Sequence, residues 1–147
     1  MTDKPGDQAE IHEILKDHIR ALRTKNADLL MSHNSADFVS CSLAPPLRLS
    51  GKAANDKTGI HQWFATWKGP IVTENHDVVV EVGGDIAFAH GLTHMSGTKV
   101  DGEEVSLWFR NTSCFRRNDG KWQVVHSHDS VPFYMDGSFR AAVDLKS

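Results

Sequence analysis

The chain opens on a run whose apolar residues, Ile11, Ile14, Leu15, Ile19 and Leu22, recur at three- and four-residue intervals. That spacing predicts an amphipathic helix over about Asp7–Thr24, with His18 on the same face. A short second helix carrying Leu29, Leu30 and Met31 is expected behind an Asn26 cap. Phe38-Val39-Ser40-Cys41 reads as a short strand ended by Pro45-Pro46. Ile60, Trp63, Phe64 and Trp67 fall at i, i+3, i+4 and i+7, which predicts a third helix over about Ala53–Trp67 that Gly69-Pro70 stops. From Ile71 onward the chain reads as a meander of strands over about Val72–Val82, Ile86–Thr98, Glu104–Arg117 and Lys121–Phe133. Gly83-Gly84, Asp101-Gly102 and Asn118-Asp119-Gly120 supply the reversals. The tail, Asp136–Ser147, is expected to form a short helix or to cover one end. Helices in front and strands behind make this an α+β arrangement, one domain over residues 1–147 with residues 1–6 as a flexible N-terminus.

Strand parity then decides which side chains meet. In the second long strand the even positions, Ile86, Phe88, His90, Leu92 and His94, are bulky, and the odd positions, Ala87, Ala89, Gly91 and Thr93, are small. The bulky even side is taken as the inward one. Read as three-residue loops, Val100-Asp101-Gly102 and Asn118-Asp119-Gly120 place His90 beside Thr112, His94 beside Trp108, Arg110 opposite His128 and Thr112 opposite His126. Together with Ser130 these form one polar patch. A two-residue Asp-Gly turn at either site would divide it between the two faces.

The 147-residue length suits a single core that needs no cross-links. A net charge of −3 without a Lys/Arg stripe argues against nucleic acid as a partner, and no run is long and apolar enough to cross a membrane. Met1–Gln8 is polar and lacks a signal-peptide core, so a cytoplasmic location is expected, with Cys41 and Cys114 as thiols. Nine histidines are many for this length, and His90, His94, His126 and His128 crowd into two strands.

Those strands also carry a resemblance. Trp108-Phe109-Arg110-Asn111-Thr112, Asp119-Gly120-Lys121-Trp122 and His126-Ser127-His128-Asp129-Ser130-Val131-Pro132-Phe133 resemble the SnoaL-like, ketosteroid-isomerase-related branch of the NTF2-like superfamily. Gly84-Asp85-Ile86-Ala87-Phe88 and Ala44-Pro45-Pro46-Leu47 fit the same pattern. The resemblance implies a cone: a curved antiparallel sheet wrapped around a long N-terminal helix with two shorter helices, and a pocket at the open end. It also implies a homodimer through the sheet and a small, partly apolar ligand. The base position of ketosteroid isomerase falls near Ser42 and its tyrosine position near His18, and no aspartate has inward parity on the last three strands.

Two functions stay open. One is a cofactor-free enzyme of isomerase, cyclase or hydratase type, with His128 or His126 as acid/base and Arg110 as electrostatic stabiliser. Its pocket would include His18, Trp63, Trp67, Phe88, His90, His94, Trp108, Thr112 and Ser130. The other is a non-catalytic domain that binds a small anionic or aromatic metabolite. A protein-assembly domain using the sheet face is a third reading. His126 and His128, with His90 as a third donor, have metal-ligand spacing. The expectation is nevertheless no metal and no cofactor, because the resembled family is usually metal-free and Arg110 would repel a cation.

Overall fold

The amphipathic stripe of the opening segment forms one helix, and the structure builds outward from it. The computed structural model describes residues 6–147. The expectation of a flexible N-terminus falls almost wholly outside those residues. In chain order the elements are α1 (Asp7–Thr24), α2 (Ala27–Met31), β1 (Asn34–Cys41), β2 (Leu49–Ser50), α3 (Lys57–Phe64), β3 (Trp67–Gly83), β4 (Ile86–Lys99), β5 (Glu104–Asn118) and β6 (Lys121–Ser130). Asn26 caps α2 as predicted, its side chain accepting from the Leu29 N–H at 3.0 Å. Helix α3 is shorter than expected. It ends at Phe64, and Trp67 opens strand β3 instead of closing the helix. The tail forms no helix; it folds back through a bridge between Phe133 and Ala141.

The strands make one six-stranded sheet in the order β2-β1-β6-β5-β4-β3. The expected antiparallel sheet is in fact mixed, because β1 runs parallel to β6. Hairpin reasoning sees neighbours in sequence, whereas β1 is placed beside the last strand of the chain by tertiary packing. Bulges in β3 and β6 add to the bend of the sheet.

The β4–β5 hairpin has the predicted register, with His90 opposite Thr112 and His94 opposite Trp108. The β5–β6 hairpin differs. Asn118 pairs with Lys121 across a two-residue turn, and Asp119 and Gly120 both take positive φ, as that turn demands. Phe115 therefore pairs with Val124, odd against even. One extra residue, Val125, then shifts the ladder so that Cys114 meets His126, Thr112 meets His128 and Arg110 meets Ser130. The bulge undoes the division that the tight turn would have caused.

The inward face is the odd one on β4 and β5, which reverses the sequence expectation. Ile11 and Ile14 of α1 bury against Ala87, Ala89, Phe115, Trp122 and Val124. Small residues on the sheet are what let the helix backbone approach, so bulk marked the wrong side. A second cluster, Ala27, Phe64, Trp67 and Ile71, closes the other end of α1 with help from Trp63, Met95 and Val105. Gly97 belongs to this cluster by its lack of a side chain: a Cβ there would come within 2.9 Å of the Trp67 ring.

A buried ion pair ties the start of α1 to the sheet. Arg117 donates from Nη1 to Asp7 Oδ1 at 2.6 Å and from Nε to Asp85 Oδ1 at 3.0 Å. Trp122 Nε1 donates to the same Asp7 oxygen at 3.2 Å, under the guanidinium. Asp7 is 4% exposed, so its removal leaves a desolvated guanidinium and an indole N–H short of an acceptor. Asp7→Ala is expected to cost about 3 kcal/mol of unfolding free energy, measured by urea denaturation. A loss below about 1 kcal/mol would show the pair to be dispensable.

Candidate functional site

Between α1, the short helices and the odd face of the sheet lies a cavity of about 680 Å³, of the size that holds a small molecule. Helix α1 contributes Leu15, His18, Ile19 and Leu22; the end near α3 contributes Trp63 and Trp67. The sheet supplies Met95, Val105, Leu107 and Phe109 as an apolar wall, then Asn111, Ser113, Ser127 and Asp129 as a polar one. The sequence sets this division directly, since the odd residues of β5 turn from apolar to polar after Phe109.

Polar groups around the cavity divide into paired and unpaired. Asn111 Nδ2 donates to Asp129 Oδ1 at 2.6 Å, and Thr93 Oγ1 donates to Asn75 Oδ1 at 3.0 Å. Three buried side-chain atoms among the described residues have no hydrogen-bond partner: His18 Nε2, Asn34 Oδ1 and Trp67 Nε1. All three residues line this one cavity. Native interiors rarely leave such groups unsatisfied, and ordered water or a bound molecule is the usual partner.

Burial shifts two titratable groups in opposite senses. It lowers His18 from an ordinary 6.5 to about 4, helped by the nearby His33 and opposed by Asp17. It raises the Asp129 carboxyl above the usual range, against the Asn111 hydrogen bond and the charge of His128. Both shifts are toward the neutral form, and the cavity lining also includes Lys99.

Of the residues expected in the pocket, His18, Trp63 and Trp67 line it. The others do not. Phe88, His90, His94, Trp108, Arg110, Thr112, His126, His128 and Ser130 share the outer, even face of the sheet. Phe88, His90, Arg110, Thr112 and His128 are exposed there. His94 is hydrogen-bonded to Ser106 Oγ at 2.9 Å, and both His94 and His76 pack against the Trp108 ring in tilted contacts with centroids 4.9 and 4.8 Å away. Arg110 donates from Nε to Ser130 Oγ at 3.1 Å. His126, His128 and Arg110 are thus corrected from the concave to the convex side. The cause is the placement of α1, not the pairing of the strands. Charged residues on the even side of β5, Arg110 and Arg116, are the signal that pointed to solvent.

The residues missed are Asp129, given outward parity from the sequence, and its partner Asn111. Asp129 shares the odd face of β5 in the expected register as in the observed one, and it faces the cavity because α1 packs on that side. Ser42, at the base position of the resembled isomerase, does line the cavity, as does His18.

A family model described as a SnoaL-like domain matches residues 11–134. The solved structure of an NTF2-like protein of unknown function from Pseudomonas putida superposes with a TM-score of 0.86 at 27% identity, covering 99% of this chain and 100% of that one. Hexachlorocyclohexane dehydrochlorinase from Novosphingobium barchaimii gives a TM-score of 0.71 at 18% identity, covering 84% and 85% of the two chains. An NTF2-like superfamily protein from Salmonella enterica gives 0.74 at 15% identity, covering 89% and 94%. The fold is NTF2-like. No curated protein sequence matches the chain. No helix among the described residues is long and apolar enough to cross a membrane.

The lowered pKa of His18 has a consequence for stability. The unfolded chain protonates near 6.5 and the folded one only near 4, so the unfolded state binds more protons between those values. The contribution is complete above pH 6.5 and is lost as pH falls toward 4, reaching about 3 kcal/mol. His18→Gln is expected to flatten the pH dependence of urea unfolding over that range. An unchanged slope, or an imidazole titrating near 6.5 by NMR, would contradict the burial of His18 in an unpaired state.

Proposed function

Because the chain belongs to the SnoaL-like domain family, we propose that it takes a neutral, mainly apolar small molecule into the α1 cavity and catalyses proton transfer on it without a cofactor. The cavity carries this reading: His18, Asn34 and Trp67 are among its lining residues, and each has a buried polar atom without a partner. Trp67 Nε1–H can only donate, so it calls for an acceptor such as a carbonyl oxygen; Asn34 Oδ1 calls for a donor such as a hydroxyl. A charged ligand fits less well, since burial holds His18 and Asp129 toward their neutral forms.

Asp129 is the proposed base. Its carboxyl sits in the cavity wall, and a raised pKa makes it a stronger base than an exposed carboxylate. Asn111 Nδ2, at 2.6 Å, fixes one oxygen and leaves the other for the substrate proton. The proton taken from carbon would rest on Asp129 while His18, which lines the same cavity, stabilises the developing oxyanion. Asp129 thereby takes the part that the sequence assigned to His128 and His126. Hexachlorocyclohexane dehydrochlorinase shares the fold, and loss of hydrogen chloride from a ring also begins from a C–H proton.

The test uses 2-tetralone, an apolar ketone with acidic α-protons, in deuterated buffer. The full chain is expected to shift the Trp67 indole N–H resonance on binding and to accelerate α-proton exchange followed by NMR. Asp129→Asn should reduce the acceleration at least roughly 100-fold with affinity little changed. The rate in the native chain should rise with pH through the raised Asp129 pKa, because the ionised carboxylate is the active form. Binding without acceleration would favour a non-catalytic binding domain. Absence of both would overturn the cavity as the functional site.

A further inference from the structure

We propose that Cys41, His126 and His128 form a binding site for a thiophilic divalent transition ion, zinc being the representative, on the outer face of the sheet. One ligand atom from each lies within 4.8 Å of the other two. A tetrahedral zinc ion with Zn–S near 2.3 Å and Zn–N near 2.0 Å needs ligand atoms roughly 3.3–3.6 Å apart. Small side-chain rotations close that difference without moving either strand.

The frame is rigid. Cys41 ends β1 directly opposite His128 on β6, and His126 lies opposite Val39 one step earlier in the same parallel ladder. His126 Nδ1 is 2.9 Å from the Val39 carbonyl oxygen. An Nδ1–H donating to that carbonyl fixes the tautomer and leaves the Nε2 lone pair facing outward. A backbone carbonyl or carboxylate accepting from the other ring N–H does the same for most metal-bound imidazoles. The two imidazole planes cross at 83° with their centroids 6.1 Å apart. His128 is exposed, which leaves a fourth position open to water.

The donor set selects the ion. One thiolate and two imidazoles without a carboxylate suit zinc, cobalt, nickel or copper and do not suit calcium or magnesium. On binding, the Cys41 thiol gives up its proton to solvent as the sulfur–metal bond forms, so the site carries a net charge of one positive. Arg110, one row along the sheet, is held at Ser130 Oγ. The expected third ligand, His90, is two strands from His128 with Thr112 between them, roughly 10 Å away at the usual strand spacing, and is replaced by Cys41. Ser127 and Asp129 alternate with the two histidines and face the cavity. An ion here would brace the back of the wall that carries Asp129.

The full chain, kept reduced, is titrated with Co²⁺ and followed by absorption. The expected result is a thiolate-to-cobalt charge-transfer band that saturates at one ion per chain and is displaced by Zn²⁺. Cys41→Ser should abolish the band, and His128→Gln, at an exposed position that does not threaten folding, should weaken binding at least tenfold. Cys114→Ser should leave it intact. No charge-transfer band, a band that survives Cys41→Ser or is lost with Cys114→Ser, or full affinity in His128→Gln would each overturn the site. None of these readouts depends on the cavity.

Discussion

Ile11 and Ile14 bury against Ala87 and Ala89, and that contact assigns an inside and an outside to the whole sheet. A helix can lie this close only where the strand side chains are small, so the odd face of β4 became the concave one. Everything on β5 and β6 follows by hydrogen-bonded register. Phe109, Asn111 and Ser113 turn toward the helix, and Arg110, Thr112 and His128 turn away. The Asp7–Arg117 pair fixes the start of the helix against the β5–β6 hairpin at one end of this contact.

The space left where α1 diverges from the sheet becomes the cavity. Two of its ionisable groups, His18 and Asp129, are pushed toward neutrality by the same physical cause, loss of water, acting on a base and on an acid. A cavity of this kind discriminates against charged molecules through desolvation and recognises a neutral one through a few directed hydrogen bonds. Reactivity then requires only that one group ionise when the ligand is in place, and the carboxyl hydrogen-bonded by Asn111 is the group so placed.

The two faces of β6 carry separate chemistries through simple alternation. His126 and His128 point out while Ser127 and Asp129 point in, a division that only a strand can make at one-residue intervals. The outer side gains its thiol from β1, which reaches β6 in parallel from the opposite end of the sequence. Soft ligands on one surface and the cavity on the other thus share a single wall.

Much of the architecture was legible in the sequence. The stripe from Ile11 to Leu22 gave α1 its limits, Asn26 its place as a cap, and Gly102 the β4–β5 register, because each is set by interactions within a few residues or one hairpin. His18, Trp63 and Trp67 line the cavity, Trp67 from a strand and not from the helix that its spacing suggested. Local information also put His90, His94, Trp108 and His128 on one face together. It did not say which face, since parity is symmetric until a helix packs on one side. Asp129 was lost to that same choice of face, and Cys41 to a parallel pairing with a strand some eighty residues later. Periodicity and turns are written residue by residue. The choice of inside, the bulge and the partner of β1 are decided by how the finished elements pack, and only the assembled chain contains that information.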